Sequence, residues 1–90
     1  MQKLSIAQRT PDLFGVTIHS KTTTTHHVTV TDKDLHTLTG GKASKKELLK
    51  FSFAFLLERE ANSSILPAFE ITLIGNYFPE YKREVKEKFC

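Results

Sequence analysis

Apolar residues alternate with polar ones through the first third of the chain and then take up helical spacing, so strands come first and helices dominate afterwards. Leu4 and Ile6 alternate with polar neighbours, Thr10-Pro11-Asp12 supplies turn chemistry, and Phe14, Val16 and Ile18 alternate with Gly15, Thr17 and His19. After Ser20-Lys21-Thr22-Thr23 a third alternation sets His26, Val28 and Val30 on one face and His27, Thr29 and Thr31 on the other. The pattern predicts a three-stranded antiparallel meander with one wet face.

Thr31, with Asp34 three residues on, is placed to cap a short helix carrying Leu35 and Leu38, and Gly40-Gly41 supplies its left-handed stop. Ser44 and Glu47 form a capping box directly ahead of the apolar run from Leu48 to Leu57, which predicts a central helix over residues 45–60. At about 100° per residue Leu48, Leu49, Ser52, Phe53, Phe55 and Leu56 share one broad side, flanked by Phe51 and Leu57. Glu47, Lys50, Ala54 and Glu58 form a narrow stripe opposite. Such a helix must be covered on most of its circumference, and Phe53 and Leu56, at the centre of the arc, are its expected core anchors. The run is far short of the roughly 20 residues a membrane span needs, so no membrane association is expected.

Beyond Glu60 the pattern is less regular. Asn62-Ser63-Ser64 reads as a loop, and Pro67 interrupts the apolar stretch Ile65-Leu66-Ala68-Phe69. Ile71, Thr72 and Ile74 suit a strand while Ile71, Ile74 and Phe78 suit a helix, and a short helix is the reading preferred for 71–77. Pro79 fits the first position of a final helix in which Tyr81, Val85 and Phe89 recur on one narrow surface-helix stripe. The expected architecture is a single α+β domain over residues 1–90, its meander on one side of the central helix and its C-terminal helices on another.

Composition adds limits. Hydrophobic residues are 39% and charged residues 26% of 90, which lies outside the regime of disorder. The net charge of +3 permits an anionic partner without requiring one, and residues 61–90 balance four acidic against four basic side chains. Cys90 is the only cysteine, which rules out a disulfide framework within the chain and implies a reducing compartment. The start, Met1-Gln2-Lys3-Leu4-Ser5-Ile6, lacks the apolar stretch of a signal peptide, so a cytoplasmic location is expected.

Phe53-Ala54-Phe55-Leu56-Leu57-Glu58-Arg59-Glu60, then Ser64-Ile65-Leu66, then Tyr77-Phe78-Pro79-Glu80-Tyr81 resemble the pattern of a family of small uncharacterised bacterial proteins. The likeness runs from about Val28 onward, with Ala61 standing where the pattern has proline. It implies a bacterial source and a shared fold, and no activity.

Four groups of residues are candidates for chemistry. In the register that pairs Ile18 with Val28, His19 and His27 face each other on the wet side. Two imidazoles fall short of the three or four ligands a zinc site takes, so neither a metal site nor a cofactor is expected. Gly40-Gly41-Lys42-Ala43-Ser44-Lys45-Lys46 brings glycines, lysines and a helix start together, and Lys42, Ser44, Lys45 and Lys46 are the candidate anion-binding residues. The spacing of a nucleotide-hydrolase phosphate loop is absent, and a solvated connection is the plainer reading. Tyr77-Phe78-Pro79-Glu80-Tyr81 reads as a structural corner, with both tyrosines burying rings and keeping hydroxyls wet, rather than as an aromatic platform. Glu58-Arg59-Glu60 reads as a salt-linked helix end rather than an acid/base pair, and no catalytic residues are assembled. The leading expectation is a binding module for a protein partner, or for a second copy of the chain through an exposed strand edge. The alternative is weak binding of nucleic acid or a phosphorylated ligand at 40–46.

Overall fold

Strands β1 (Lys3–Gln8), β2 (Leu13–His19) and β3 (Thr23–Thr29) form the expected antiparallel meander, and a fourth strand, β4 (Ala68–Glu70), joins parallel to β3. The computed structural model describes residues 3–89, so the readings that rest on Met1, Gln2 and Cys90 lie outside the described residues. The fourth strand is a correction to the three-stranded expectation. It escapes a pattern reading because it is three residues long and follows Pro67 directly. Pro67 fits there because it need only accept: its carbonyl takes the His27 N–H at 2.8 Å, and the Ile71 N–H reaches the Thr29 carbonyl at 2.9 Å.

The register of β2 on β3 is also corrected. Phe14 lies opposite Val28 and Ile18 opposite Thr24, so His19 faces Thr23 and His27 faces Gly15. The cause is the turn: the Ser20 N–H closes on the Thr22 carbonyl at 3.1 Å, and Thr23 already belongs to the strand. The alternation itself holds. Phe14, Val16, Ile18, His26, Val28 and Val30 are buried on the inner face, while Lys3, Ser5, His19, Thr25 and His27 are exposed.

Helices α1 (Asp32–Thr39) and α2 (Lys45–Leu57) follow the meander. Thr31 caps α1 by accepting the Asp34 N–H at 3.0 Å, and Gly40, at φ 67°, ends it in the left-handed region that only glycine enters freely. Ser44 and Glu47 cap α2 reciprocally, at 3.1 and 2.9 Å. The helix stops at Leu57 rather than at residue 60, where the Arg59 N–H tightens onto the Leu56 carbonyl, three residues back, at 2.9 Å. A 3-10 turn (Asn62–Ser64) then leads through Pro67 into β4, and α3 (Leu73–Tyr77) and α4 (Tyr81–Phe89) close the chain. Residues 73–77 are helical, as preferred, and α4 begins two residues after Pro79.

Helix α2 is the middle layer. Phe53 faces the sheet, its ring 5.8 Å from His26 and 6.2 Å from Phe69, whereas Phe55 faces away, edge-on to Tyr81 at 5.2 Å and to Phe78 at 5.8 Å. One apolar cluster runs from the inner sheet face through α2 to Ile71, Ile74, Tyr81 and Val85, and includes both expected anchors, Phe53 and Leu56. Among the described residues no helix is long and apolar enough to cross a membrane.

Candidate functional site

The N-terminal end of α2 holds the four candidate anion-binding residues, and the structure separates their roles. Ser44 is committed to the cap, with its hydroxyl on the Glu47 N–H and its own N–H on the Glu47 carboxylate. The Ser44 backbone N–H, and after it the Ser44 hydroxyl, hold the Glu47 carboxyl below its ordinary range. Lys45 turns its ammonium back onto the chain, to Asp12 at 2.9 Å, Asp32 at 2.9 Å and the Pro11 carbonyl at 2.7 Å. Desolvation opposes its charge, but the hydrogen bonds and charges of Asp12 and Asp32 outweigh it and raise its pKa above the ordinary lysine value. Lys42 and Lys46 remain exposed, without ion-pair partners among the described residues. The connection is thus tied internally at Ser44 and Lys45, and only its two outer lysines face solvent unpaired.

The C-terminal end is built differently. Arg59 lies with its guanidinium carbon 3.5 Å from the Phe55 ring centroid and donates to the Phe55 carbonyl at 2.9 Å. It also reaches Glu80 at 3.3 Å and Glu84 at 3.2 Å, pinning the start of α4 to the end of α2. The salt-linked end read from Glu58-Arg59-Glu60 is therefore corrected: Arg59 pairs across elements rather than with its neighbours. Its own backbone N–H and then Arg59 keep the Glu80 carboxyl below the usual range. Beneath this clamp the Tyr81 hydroxyl meets Ser52 Oγ at 2.5 Å, and Ser52 in turn donates to the Leu48 carbonyl at 2.6 Å. That direction makes Tyr81 the donor. Burial pushes its phenol up to about 12.

Between this end and β4 lies a groove of about 350 Å³, lined by Leu56, Glu60, Ser64, Ile65, Leu66, Phe69, Leu73, Ile74, Tyr77 and Phe78. Leu66 is 44% exposed and Tyr77 65% exposed, and both stand on the groove. The corner reading is divided by this geometry. Phe78 and Tyr81 pack inward, Tyr81 with its hydroxyl buried rather than wet, while Tyr77 is open to solvent. The end of α2, the segment 64–66 and the Tyr77-Phe78 corner, far apart in the chain, converge on the groove. The pattern missed it because the irregular segment leading to Pro67 gives no periodicity to read; the cue it offered was apolar Leu66 beside a helix-breaking proline.

A buried polar network fixes the rim. The His26 ring is 2% exposed, with Nδ1 on the Leu66 carbonyl at 2.7 Å and Nε2 on Thr24 Oγ1 at 2.8 Å. A carbonyl only accepts, so Nδ1 carries the proton. Asn62 donates to the Thr22 carbonyl and to Thr24 Oγ1, both at 3.0 Å. These bonds hold the segment 62–66 against β3, and with it the position of Leu66.

The observed register moves His19 and His27 out of facing positions, and among the described residues no three His, Cys, Asp or Glu side chains are grouped to hold a metal ion. Comparison of the chain with family models, with curated proteins and with solved structures gives no match.

Proposed function

We propose that the chain is a small binding module, without catalysis of its own, that takes an apolar anchor of a protein partner into the groove beside Tyr77. The observation that carries this reading is the coincidence of the two large exposed apolar side chains, Leu66 and Tyr77, on one concave apolar surface. Scattered singly, such residues need no explanation. Glu60, half-buried in the same lining and without an ion pair among the described residues, favours a Lys or Arg next to the anchor. The partner is then a segment that presents a Leu- or Phe-like side chain beside a basic one. Binding of nucleic acid or a phosphorylated ligand at the 40–46 connection has less support, because Lys45 is neutralised by Asp12 and Asp32 and the cap of Ser44 is filled.

Short peptides carrying a Leu or Phe anchor, with and without an adjacent lysine, test the reading by amide chemical shifts. Ser64, Leu66, Phe69 and Tyr77 should move first, and the lysine should tighten binding. Tyr77→Ala and Leu66→Ala should each weaken binding about tenfold. As surface changes they should alter stability by about 0.5 kcal/mol or less. Peptides that leave these amides unmoved, with RNA oligonucleotides shifting residues 42–46 instead, would replace this reading with the alternative.

A further inference from the structure

The two edges of the sheet are defended unequally. Strand β4 follows the usual protective rules: it is three residues long, begins after a proline and ends in Glu70. Strand β1 has six residues, no proline, and a single charge at Lys3. The Arg9 N–H bonds to the Leu13 carbonyl at 2.8 Å, which sets the phase of the β1–β2 ladder. Lys3, Ser5 and Ala7 therefore bond to β2. Leu4, Ile6 and Gln8 turn their N–H and C=O groups outward, to an edge that no other strand of the sheet covers.

Alongside that edge lies the one stripe of α2 that the fold leaves open. Lys50, Ala54 and Glu58 are exposed, Leu57 is half-buried, and with Leu4 and Ile18 they line a shallow apolar hollow of about 330 Å³. Lys50 and Glu58 have no ion pair among the described residues. Ala54, a small side chain, sits midway between them.

We infer that β1 and this stripe form a self-complementary interface occupied by a second copy of the chain, with β1 pairing antiparallel to its counterpart. A two-fold axis perpendicular to the sheet reverses every direction within it. It sets α2 antiparallel to the partner's helix, brings Ala54 of each copy to the centre, and places Lys50 of one beside Glu58 of the other, twice. The backbone edge, the central small residue and the order of the charges all ask for the same operator. The sheet then runs continuously through both copies, and the groove beside Tyr77, beyond β4, stays open.

Sedimentation of the chain across the micromolar range tests the inference and should give a dimer mass. Lys50→Glu alone and Glu58→Lys alone each oppose like charges in two symmetric places, and each should weaken association about tenfold. The double change should restore it. Gln8→Pro removes one outward N–H and no bond to β2, and should also weaken association. Exchange of the Leu4, Ile6 and Gln8 amides should slow as concentration rises, while that of Ser5 and Ala7 should not. A monomer mass at every concentration overturns the inference. So does a dimer indifferent to all three changes, or one that only Leu66 and Tyr77 substitutions dissociate.

Discussion

Each end of α2 carries a cation held by two carboxylates from other elements, yet the two ends shape their surroundings in opposite ways. Lys45 gathers Asp12 from the β1–β2 turn and Asp32 from α1, and its partners remain wet, Asp32 at 94% exposure. The positive charge is consumed by these two partners. Arg59 lies over the Phe55 ring and pairs with Glu80 and Glu84, so charge and aromatic surface are fixed together and a groove opens beside them. The comparison shows that density of charge in a sequence is a poor pointer to a binding site. What matters is whether that charge already has partners in the fold, and which apolar surface has none.

The largest expected effect lies midway between the ends and sets the scale for both. Phe53 is fully buried between α2 and the sheet, against His26 and Phe69. Phe53→Ala should cost about 3–5 kcal/mol by denaturant titration, from lost transfer energy and the cavity left behind. A loss below about 1 kcal/mol would place the centre of the fold elsewhere.

Tyr81 sharpens the comparison next, because its hydroxyl is buried under the C-terminal clamp. Its folded pKa of about 12 lies above the ordinary value of 10.0, so folding favours the protonated phenol. The resulting stability is intact below pH 10 and is lost as pH rises from there to about 12. The gap between the two values corresponds to about 2–3 kcal/mol. Tyr81→Phe should remove that part of the alkaline loss and cost about 1 kcal/mol at neutral pH, since Ser52 keeps its bond to Leu48. Urea unfolding at a series of pH values checks both, and an unchanged alkaline slope in the variant would mean that Tyr81 is not the group responsible.

The contrast between the two ends was half legible in the sequence. Local chemistry could be read where neighbours in the chain decide it, as in the Ser44–Glu47 box, the Thr31 cap, the Gly40 stop and the broad apolar arc of α2. It failed where residues far apart meet. Lys45 finds Asp12 across 33 positions and Arg59 finds Glu84 across 25, so neither pairing leaves a periodic trace. β4 was hidden by Pro67, and the groove by its assembly from α2, the 3-10 turn, β4 and α3. The histidine register was missed because four consecutive threonines blur the boundary between turn and strand.

Arg59 tests the C-terminal end directly. Arg59→Ala removes the stack on Phe55 and both carboxylate contacts, and should cost about 1–3 kcal/mol by denaturant titration. Arg59→Lys should recover only part of this, because an ammonium cannot lie flat on the ring while reaching Glu80 and Glu84 together. The acid limb carries a smaller sign of the same contact. The Glu80 carboxyl is depressed, so its contribution is present above the ordinary carboxylate pKa and is lost as pH falls through the folded value. Its own backbone N–H is the first cause, so Arg59→Ala should lessen this acid sensitivity without abolishing it. Full recovery by lysine would reduce the clamp to a simple ion pair and erase the difference between the two ends.

The smallest expected effect is at Lys45, where the contacts are ionic and wet. Lys45→Met keeps most of the side-chain stem and should cost about 0.5–1 kcal/mol, in the range of surface ion pairs. The raised pKa fixes the sign of its pH dependence: the contribution is present below the ordinary lysine value and is lost as pH rises through the folded one, above 10.5. Rising salt should shrink the difference between variant and parent, because Asp32 lies almost wholly in solvent. The same residue decides whether the connection is closed to anions. With Lys45 already paired and the cap of Ser44 filled, phosphate at low salt should leave the amides of residues 42–46 nearly unmoved. Asp12→Asn combined with Asp32→Asn should free the ammonium and make those amides respond. A strong response in the unmodified chain would instead put an anion site at this end, and the two ends of α2 would then differ in ligand rather than in accessibility.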